Sequence, residues 1–162
     1  MKKPSFLSKL KKEGKLELVE PSEEICKSYI DKADNCLKSA KLLFQHKLYE
    51  NSVSMAYYTM YNSLTALFFK CGMKCKNHAG SIILFKKLFG RADLFKMMSF
   101  AKEERIDKQY YVTSGENFVL TKEPAEDMVT KAEDFLVKMK LAIEDLKNEQ
   151  IGKLREKFAT DY

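Results

Sequence analysis

The sequence predicts an all-α protein, an up-and-down antiparallel bundle of four to five helices, and three observations carry that expectation. Glycine and proline are scarce, 6 and 3 in 162 residues, while Lys, Glu, Leu, Ala and Met abound. That composition suits helices and leaves too few turn formers for a sheet. Apolar residues recur at helical spacing through several long segments. The first two of those segments are joined by a connection of only about three residues, His46–Leu48, which forces antiparallel packing.

The elements follow in order. Residues 1–20 form a basic N-terminal arm, expected to be loosely attached, with one short helix around Phe6–Lys12. From Pro21 the pattern is regular. Proline suits a first helical turn, and Glu23 and Glu24 suit the positive end of the helix dipole. Ile25, Tyr29, Ala33, Cys36, Leu37, Ala40, Leu43 and Phe44 then form one stripe, which carries the first long helix to about His46.

The second helix spans about Tyr49–Cys71 and stops at Gly72. Val53, Ala56, Tyr57, Met60, Tyr61, Leu64, Leu67 and Phe68 lie on its core side, and Tyr58, Asn62 and Phe69 on the opposite one. A helix apolar or aromatic nearly all round must be covered on several sides. It is therefore the central helix of the bundle, or one shared with a partner subunit. Three tyrosines in five residues, Tyr57, Tyr58 and Tyr61, place several hydroxyls in a mostly dry setting where each needs a hydrogen-bond partner, so they either line a pocket or are tied to neighbouring helices.

Gly72–Asn77 reads as a basic loop. A third helix covers His78–Phe89, with Ile82, Phe85, Leu88 and Phe89 buried, and Gly90 ends it. A fourth covers Ala92–Tyr111, and Thr113–Leu120 is a loop. Thr121 caps the last long helix, whose stripe (Ala125, Met128, Ala132, Phe135, Met139, Ala142, Ile143, Leu146) runs to about Glu149. The bundle thus occupies 21–150, and 151–162 is a charged tail that frays or extends the last helix.

The net charge of +6 is unevenly distributed. Residues 1–16 carry +5, residues 17–69 carry −2, residues 70–108 carry +6 and the remainder −3. A basic segment between acidic helices fits either a phosphate site or a solvated face. No apolar run approaches the roughly 20 residues that cross a bilayer, and the basic start lacks a signal-peptide core. A cytoplasmic protein without membrane contact is expected. Its four cysteines (Cys26, Cys36, Cys71, Cys75) are then reduced thiols packed as small apolar groups.

Two constellations could carry chemistry. On a helix Arg105 lies within two turns of Tyr110 and Tyr111, so a guanidinium fork and phenols could share a face that takes a phosphate. The competing reading pairs Arg105 with Glu104, Asp107 or an acid on another helix. Lys74, Lys76, Asn77 and His78 form the second group, at a helix N-terminus whose backbone N–H groups attract anions. There the competing reading makes the histidine a cap or packing residue. Cys71, Cys75 and His78 supply three zinc-type donors where a closed site needs four. No metal and no cofactor is expected, and no phosphate loop, nucleophile elbow or paired histidine–carboxylate motif occurs.

AYYTMYNSLTALFFKCG at Ala56–Gly72, NHAGSI at Asn77–Ile82 and AKEERIDKQYYV at Ala101–Val112 together resemble the HEPN superfamily, in particular its small stand-alone prokaryotic proteins. The resemblance covers about residues 22–147. It implies a helical bundle that forms a homodimer and binds nucleotide or RNA. Many members are ribonucleases whose site forms across the dimer from an arginine, four to six residues, and a histidine. Some are toxins paired with a minimal nucleotidyltransferase, which in certain pairs adenylylates a tyrosine just past the histidine. Here Arg105 matches the arginine, but Tyr110 stands where the histidine is expected, and a phenol with a pKa of about 10 is a poor base at neutral pH.

The resemblance therefore implies a nucleotide- or RNA-phosphate-binding module, partner of a nucleotidyltransferase. Arg105 and Tyr110 are its candidate reactive pair, with Arg105, Tyr111, His78, Lys76, Tyr58 and Asn62 as candidate binding residues. The alternatives are a metal-independent ribonuclease with a degenerate Arg-x4-Tyr motif and a purely structural helical dimer.

Overall fold

The computed structural model describes residues 5–110 and 120–162, with 105–110 as backbone alone. The chain is an all-α bundle carrying one very small sheet. In order, the elements are α1 (Phe6–Lys12), β1 (Leu16–Leu18), α2 (Glu23–Gln45), α3 (Tyr49–Lys70), β2 (Met73–Cys75), α4 (His78–Phe89), α5 (Ala92–Tyr110), α6 (Lys122–Asp145) and α7 (Asn148–Asp161).

Helix α3 is the hub. It packs against α2, α4, α5, α6 and β2. Val53, Ala56, Tyr57, Met60, Leu64, Ala66, Leu67 and Phe68 are all buried. So are Ser52, Ser54, Thr59 and Ser63, each of which returns its hydroxyl to a backbone carbonyl: Ser52 to Ala40 at 2.7 Å, Ser54 to Glu50 at 3.1 Å, Thr59 to Met55 at 2.9 Å and Ser63 to Met60 at 2.8 Å. Small residues with self-satisfied hydroxyls let neighbouring helices approach on every side without leaving an orphaned polar group. The stripes on α2 and α6 close over this helix, with Ala33, Leu37 and Ala40 from one and Met128, Ala132, Phe135 and Met139 from the other. Lys140 bridges both carboxylate oxygens of Asp34 at 2.8 and 2.9 Å across α6 and α2.

Helix ends follow local chemistry. Ser22 Oγ accepts from Ile25 N at 3.1 Å, so α2 starts after Pro21 instead of at it. Asn77 Oδ1 accepts from Gly80 N at 2.7 Å and fixes the start of α4. Thr121 occupies the N-cap position of α6 without a side-chain cap bond. Gly72 takes φ +69° just past α3, the left-handed conformation that a helix stop requires.

Three segments differ from the sequence-based expectation. The basic stretch after Gly72 contains β2, which pairs antiparallel with β1 in the register Leu16↔Cys75, Glu17↔Lys74 and Leu18↔Met73. Lys76 N to Lys15 O (2.8 Å) and Val19 N to Gly72 O (2.9 Å) extend that ladder. Three-residue strands are too short to show an alternation. The N-terminal segment is tied down, not loose: Leu7, Leu10 and Leu16 are buried. The C-terminal segment is a separate helix, broken from α6 by an extended Leu146 and Lys147, and it buries Ile151 and Phe158. Of the expected 113–120 loop only Leu120, which is buried, lies among the described residues.

Candidate functional site: an imidazole held by two tyrosines

Tyr57 and Tyr61 stand four residues apart and so share one face of α3. That face meets the first residue of α4, His78, which is set in place by the Asn77 cap. The Tyr57 hydroxyl and His78 Nδ1 are 2.8 Å apart. The phenol donates if Nδ1 is bare and accepts if it carries the proton. Tyr61 stacks on the imidazole with centroids 3.8 Å apart and planes 9° from parallel. Tyr57 is nearly parallel to the same ring at 5.9 Å and 17°, and to Tyr61 at 6.2 Å and 14°. The three rings form one layered cluster. Burial pushes the Tyr61 phenol above its ordinary value, with the neighbouring Ser81 hydroxyl drawing it partly back. It stays protonated at neutral pH and can donate.

The NHAGSI stretch reads as machinery for this placement. Asn77 caps, His78 is presented, and Ser81 returns its hydroxyl to Asn77 O at 3.0 Å. A Cβ on Gly80 would run into the end of Leu10 and lie 3.2 Å from Cys75 Sγ. Glycine therefore lets α1 close against the start of α4.

Helix α5 comes alongside. Ala79, Ile82 and Ile83 of α4 and Phe95, Ser99, Lys102 and Glu103 of α5 line one groove. Residue 105 lies two positions past Glu103, about 3 Å farther along the helix axis. The side chains of Arg105 and Tyr110, and Tyr111 altogether, lie outside the described residues.

The other candidate residues separate into two groups. Lys76 lies beside the cluster, lining a hollow that also includes Tyr61. It forms no ion pair among the described residues, whereas Lys74 faces Glu17 at 3.6 Å across the strand pair. Tyr58 and Asn62 are directed toward α2. Asn62 donates to Cys36 Sγ at 3.6 Å. Tyr58 lines a hollow of about 610 Å³ with Leu42, Leu43, Asn51 and Met55, while meeting Tyr57 edge-on at 5.6 Å. The structure thus unites His78 and Lys76 but leaves Tyr58 and Asn62 on another side of α3. Among the described residues no three His, Cys, Asp or Glu side chains gather as metal ligands. Cys71 is fully buried, and burial pushes its thiol up to about 12.

Tyr57 and Tyr61 are expected on the core side with hydroxyls that need partners, but not as neighbours of His78. The signal for more was their i, i+4 spacing combined with a histidine at a helix start, although nothing in the sequence alone joins the two.

This geometry belongs to a recognisable domain. The profile of the HEPN domain matches residues 26–142, well over half of the chain. The chain belongs to the HEPN family. It is 32% identical over 135 residues to a Methanocaldococcus jannaschii protein named "Putative toxin MJ0605", covering 76% of this chain and 92% of that one. It is 29% identical over 130 residues to a UPF0332 protein of Thermotoga maritima, covering 77% and 96%. A second M. jannaschii protein, named "Putative toxin MJ0142", is 29% identical over 116 residues, with 68% and 76% covered. The matched region holds the whole His78 cluster and α5. It leaves out α1, β1 and α7. No helix among the described residues is long and apolar enough to cross a membrane.

Proposed function

We propose that this HEPN protein is a homodimeric binding module for nucleotide or RNA phosphate, the toxin-like member of a pair whose other member is a minimal nucleotidyltransferase. The observation that supports the reading is the groove that the first turns of α4, which starts at His78, share with α5 as far as Glu103, two residues before Arg105. Lys76 lines a hollow with Tyr61, the ring stacked on His78. A phosphate there meets a helix N-terminus, where backbone N–H groups and the dipole favour negative charge, and cations on two neighbouring segments. Arg105, Tyr110 and Tyr111 are assigned to the phosphate; His78 and Lys76 flank it. The names of the M. jannaschii relatives support the toxin-like role.

Binding is favoured over cleavage because Tyr110 occupies the position of the motif histidine. An arginine and a phenol suffice to hold a phosphate, but a proton shuttle at neutral pH needs a group that titrates there.

The test is an equilibrium titration of ATP and of single-stranded RNA with the wild type and Arg105→Ala, beside sedimentation of the free protein. The expected result is a two-chain species that binds, and a loss of tenfold or more in the variant. Equal affinity of the two proteins, or a monomer that binds, overturns the reading.

A further inference from the structure

A second hollow adjoins the tyrosine–histidine cluster, between α2, α3 and β2. Tyr29 of α2, Tyr61, Thr65, Phe68 and Phe69 of α3, and Met73–Lys76 of β2 enclose about 220 Å³. That is below the roughly 300–1,000 Å³ typical of drug-sized pockets and suits a single planar ring system. One wall is already a built aromatic surface: Tyr29 and Phe69 stack with centroids 5.5 Å apart and planes 9° from parallel. Tyr61 belongs to both places, since it stacks on His78 and lines the hollow.

The charge around the hollow is positive where it is not already neutralised. Glu17 faces Lys74, and Glu23 pairs with Lys70. Lys76 and Lys32 make no ion pair among the described residues; Lys32 Nζ sits 5.1 Å over the Tyr29 ring. The Thr65 hydroxyl donates to Tyr61 O at 2.9 Å, which leaves its oxygen able to accept. The Tyr61 phenol, kept protonated by burial, can donate. An aromatic wall, one donor, one acceptor and a lysine at the mouth match a flat heteroaromatic ring joined to a phosphate. Successive bases of single strands are held by stacking on aromatic side chains while cations follow the backbone.

We propose that this hollow is a nucleotide subsite: a base lies against Tyr29, Tyr61 and Phe69, and its phosphate meets Lys76. The inference rests on the nucleotide- or RNA-binding reading but uses none of the residues of the arginine motif. The ligand is one nucleoside phosphate unit, either free or within a strand.

The experiment uses the full chain with a fluorescein-labelled single-stranded adenine hexanucleotide, read by anisotropy, with AMP and ribose 5-phosphate as competitors. Variants are Lys76→Ala, Tyr29→Ala and, in case the last disturbs packing, Tyr29→Leu, each checked by thermal unfolding, beside Arg105→Ala. The expected result is that ribose 5-phosphate competes at least tenfold more weakly than AMP. Folded variants at Lys76 and Tyr29 then lose about tenfold in affinity, the scale of one stacked base. If AMP fails to compete but the same variants weaken the hexanucleotide, the unit is bound as part of a strand. Ribose 5-phosphate equal to AMP overturns the subsite. Loss in Arg105→Ala alone also overturns it and leaves the arginine reading intact. Loss at Lys76 and Tyr29 with Arg105→Ala unchanged does the reverse. No binding by the wild type overturns both.

Discussion

The C-terminal end of α3 and its middle present opposite arrangements of polar groups. At the end, Arg155 of α7 drives its guanidinium into the corner between β1 and the α3 stop. Nη1 donates to Val19 O at 2.8 Å, Cys71 O at 3.1 Å and Gly72 O at 2.8 Å. Gly72 O already accepts from Val19 N at 2.9 Å, while Val19 O and Cys71 O are carbonyls at the ends of the short sheet and the helix that the guanidinium satisfies. In the middle, a fully buried Tyr57 and the half-buried Tyr61 and His78 hold one another in a layer beside Lys76. The first corner is closed on itself, and its arginine is consumed by backbone. The second borders a hollow through the Tyr61 phenol, with Lys76 on the same wall. The difference teaches that residue type alone does not mark a site. An arginine among backbone carbonyls is structural, while a histidine stacked on Tyr61 adjoins a hollow that Tyr61 itself lines.

Substitutions should separate the corners, and the largest effect belongs to the closed one. Gly72→Val combines a left-handed φ of +69° with a Cβ that would run into the Arg155 guanidinium and the Val19 carbonyl oxygen. The backbone and overpacking costs are each roughly 1–3 kcal/mol. At 2–4 °C per kcal/mol for a chain of this size, calorimetry should show a fall in Tm of about 5–20 °C. Arg155→Met keeps the aliphatic stem but removes the donor to Val19 O and Cys71 O, while Gly72 O keeps Val19 N. It is expected to cost about 1–3 kcal/mol in denaturant unfolding, with ligand affinity unchanged in the folded protein. A loss of binding without loss of stability would erase the distinction between the corners.

His78→Phe probes the open corner. Ring stacking on Tyr61 survives, while the hydrogen bond between the Tyr57 hydroxyl and His78 Nδ1 is lost, so stability should fall by about 1 kcal/mol. Hexanucleotide affinity should fall at the same time by severalfold or more. Smaller still is the Asp34–Lys140 bridge, half-exposed and away from both corners. Lys140→Ala should change stability by less than about 1 kcal/mol and binding not at all.

Alkaline pH gives a further contrast. Cys71, beside the closed corner, has its thiol raised from 9.0 to about 12, chiefly by burial. The folded state therefore holds that proton longer than the unfolded chain does. Its contribution to stability is complete below pH 9 and is lost as pH rises from 9 toward 12. Denaturant melts of Cys71→Ala should accordingly show a shallower decline over that window than the wild type.

The long helices were legible because each has a continuous stripe and a recognisable stop. The start and end of α4 match at His78 and Phe89, since Asn77 and Gly90 punctuate it. At the termini the span of α1, Phe6–Lys12, was legible but its docking was not, since it buries only Leu7 and Leu10 among lysines. Helix α7 buries only Ile151 and Phe158 among charges, too few positions for a period to emerge. The strands of three residues had no alternation to read, and their pairing joins residues almost sixty positions apart. At the site, His78 and Lys76 were visible as cation and helix start. That the tyrosine hydroxyls needed partners was legible too, but the pairing of Tyr57 and Tyr61 with His78 was not, because it joins separate helices. Arg155, read as part of a charged tail, became meaningful only when the carbonyls around it were seen.

The most direct test of the open-corner account is photocrosslinking of single-stranded RNA carrying 5-iodouracil to the full chain, followed by peptide mapping. The account predicts adducts on the aromatic residues of α3 around Tyr61, on Tyr29, on the His78 peptide and on the segment from Arg105 to Tyr111. Adducts confined to α6 and α7, with none on those peptides, would contradict it.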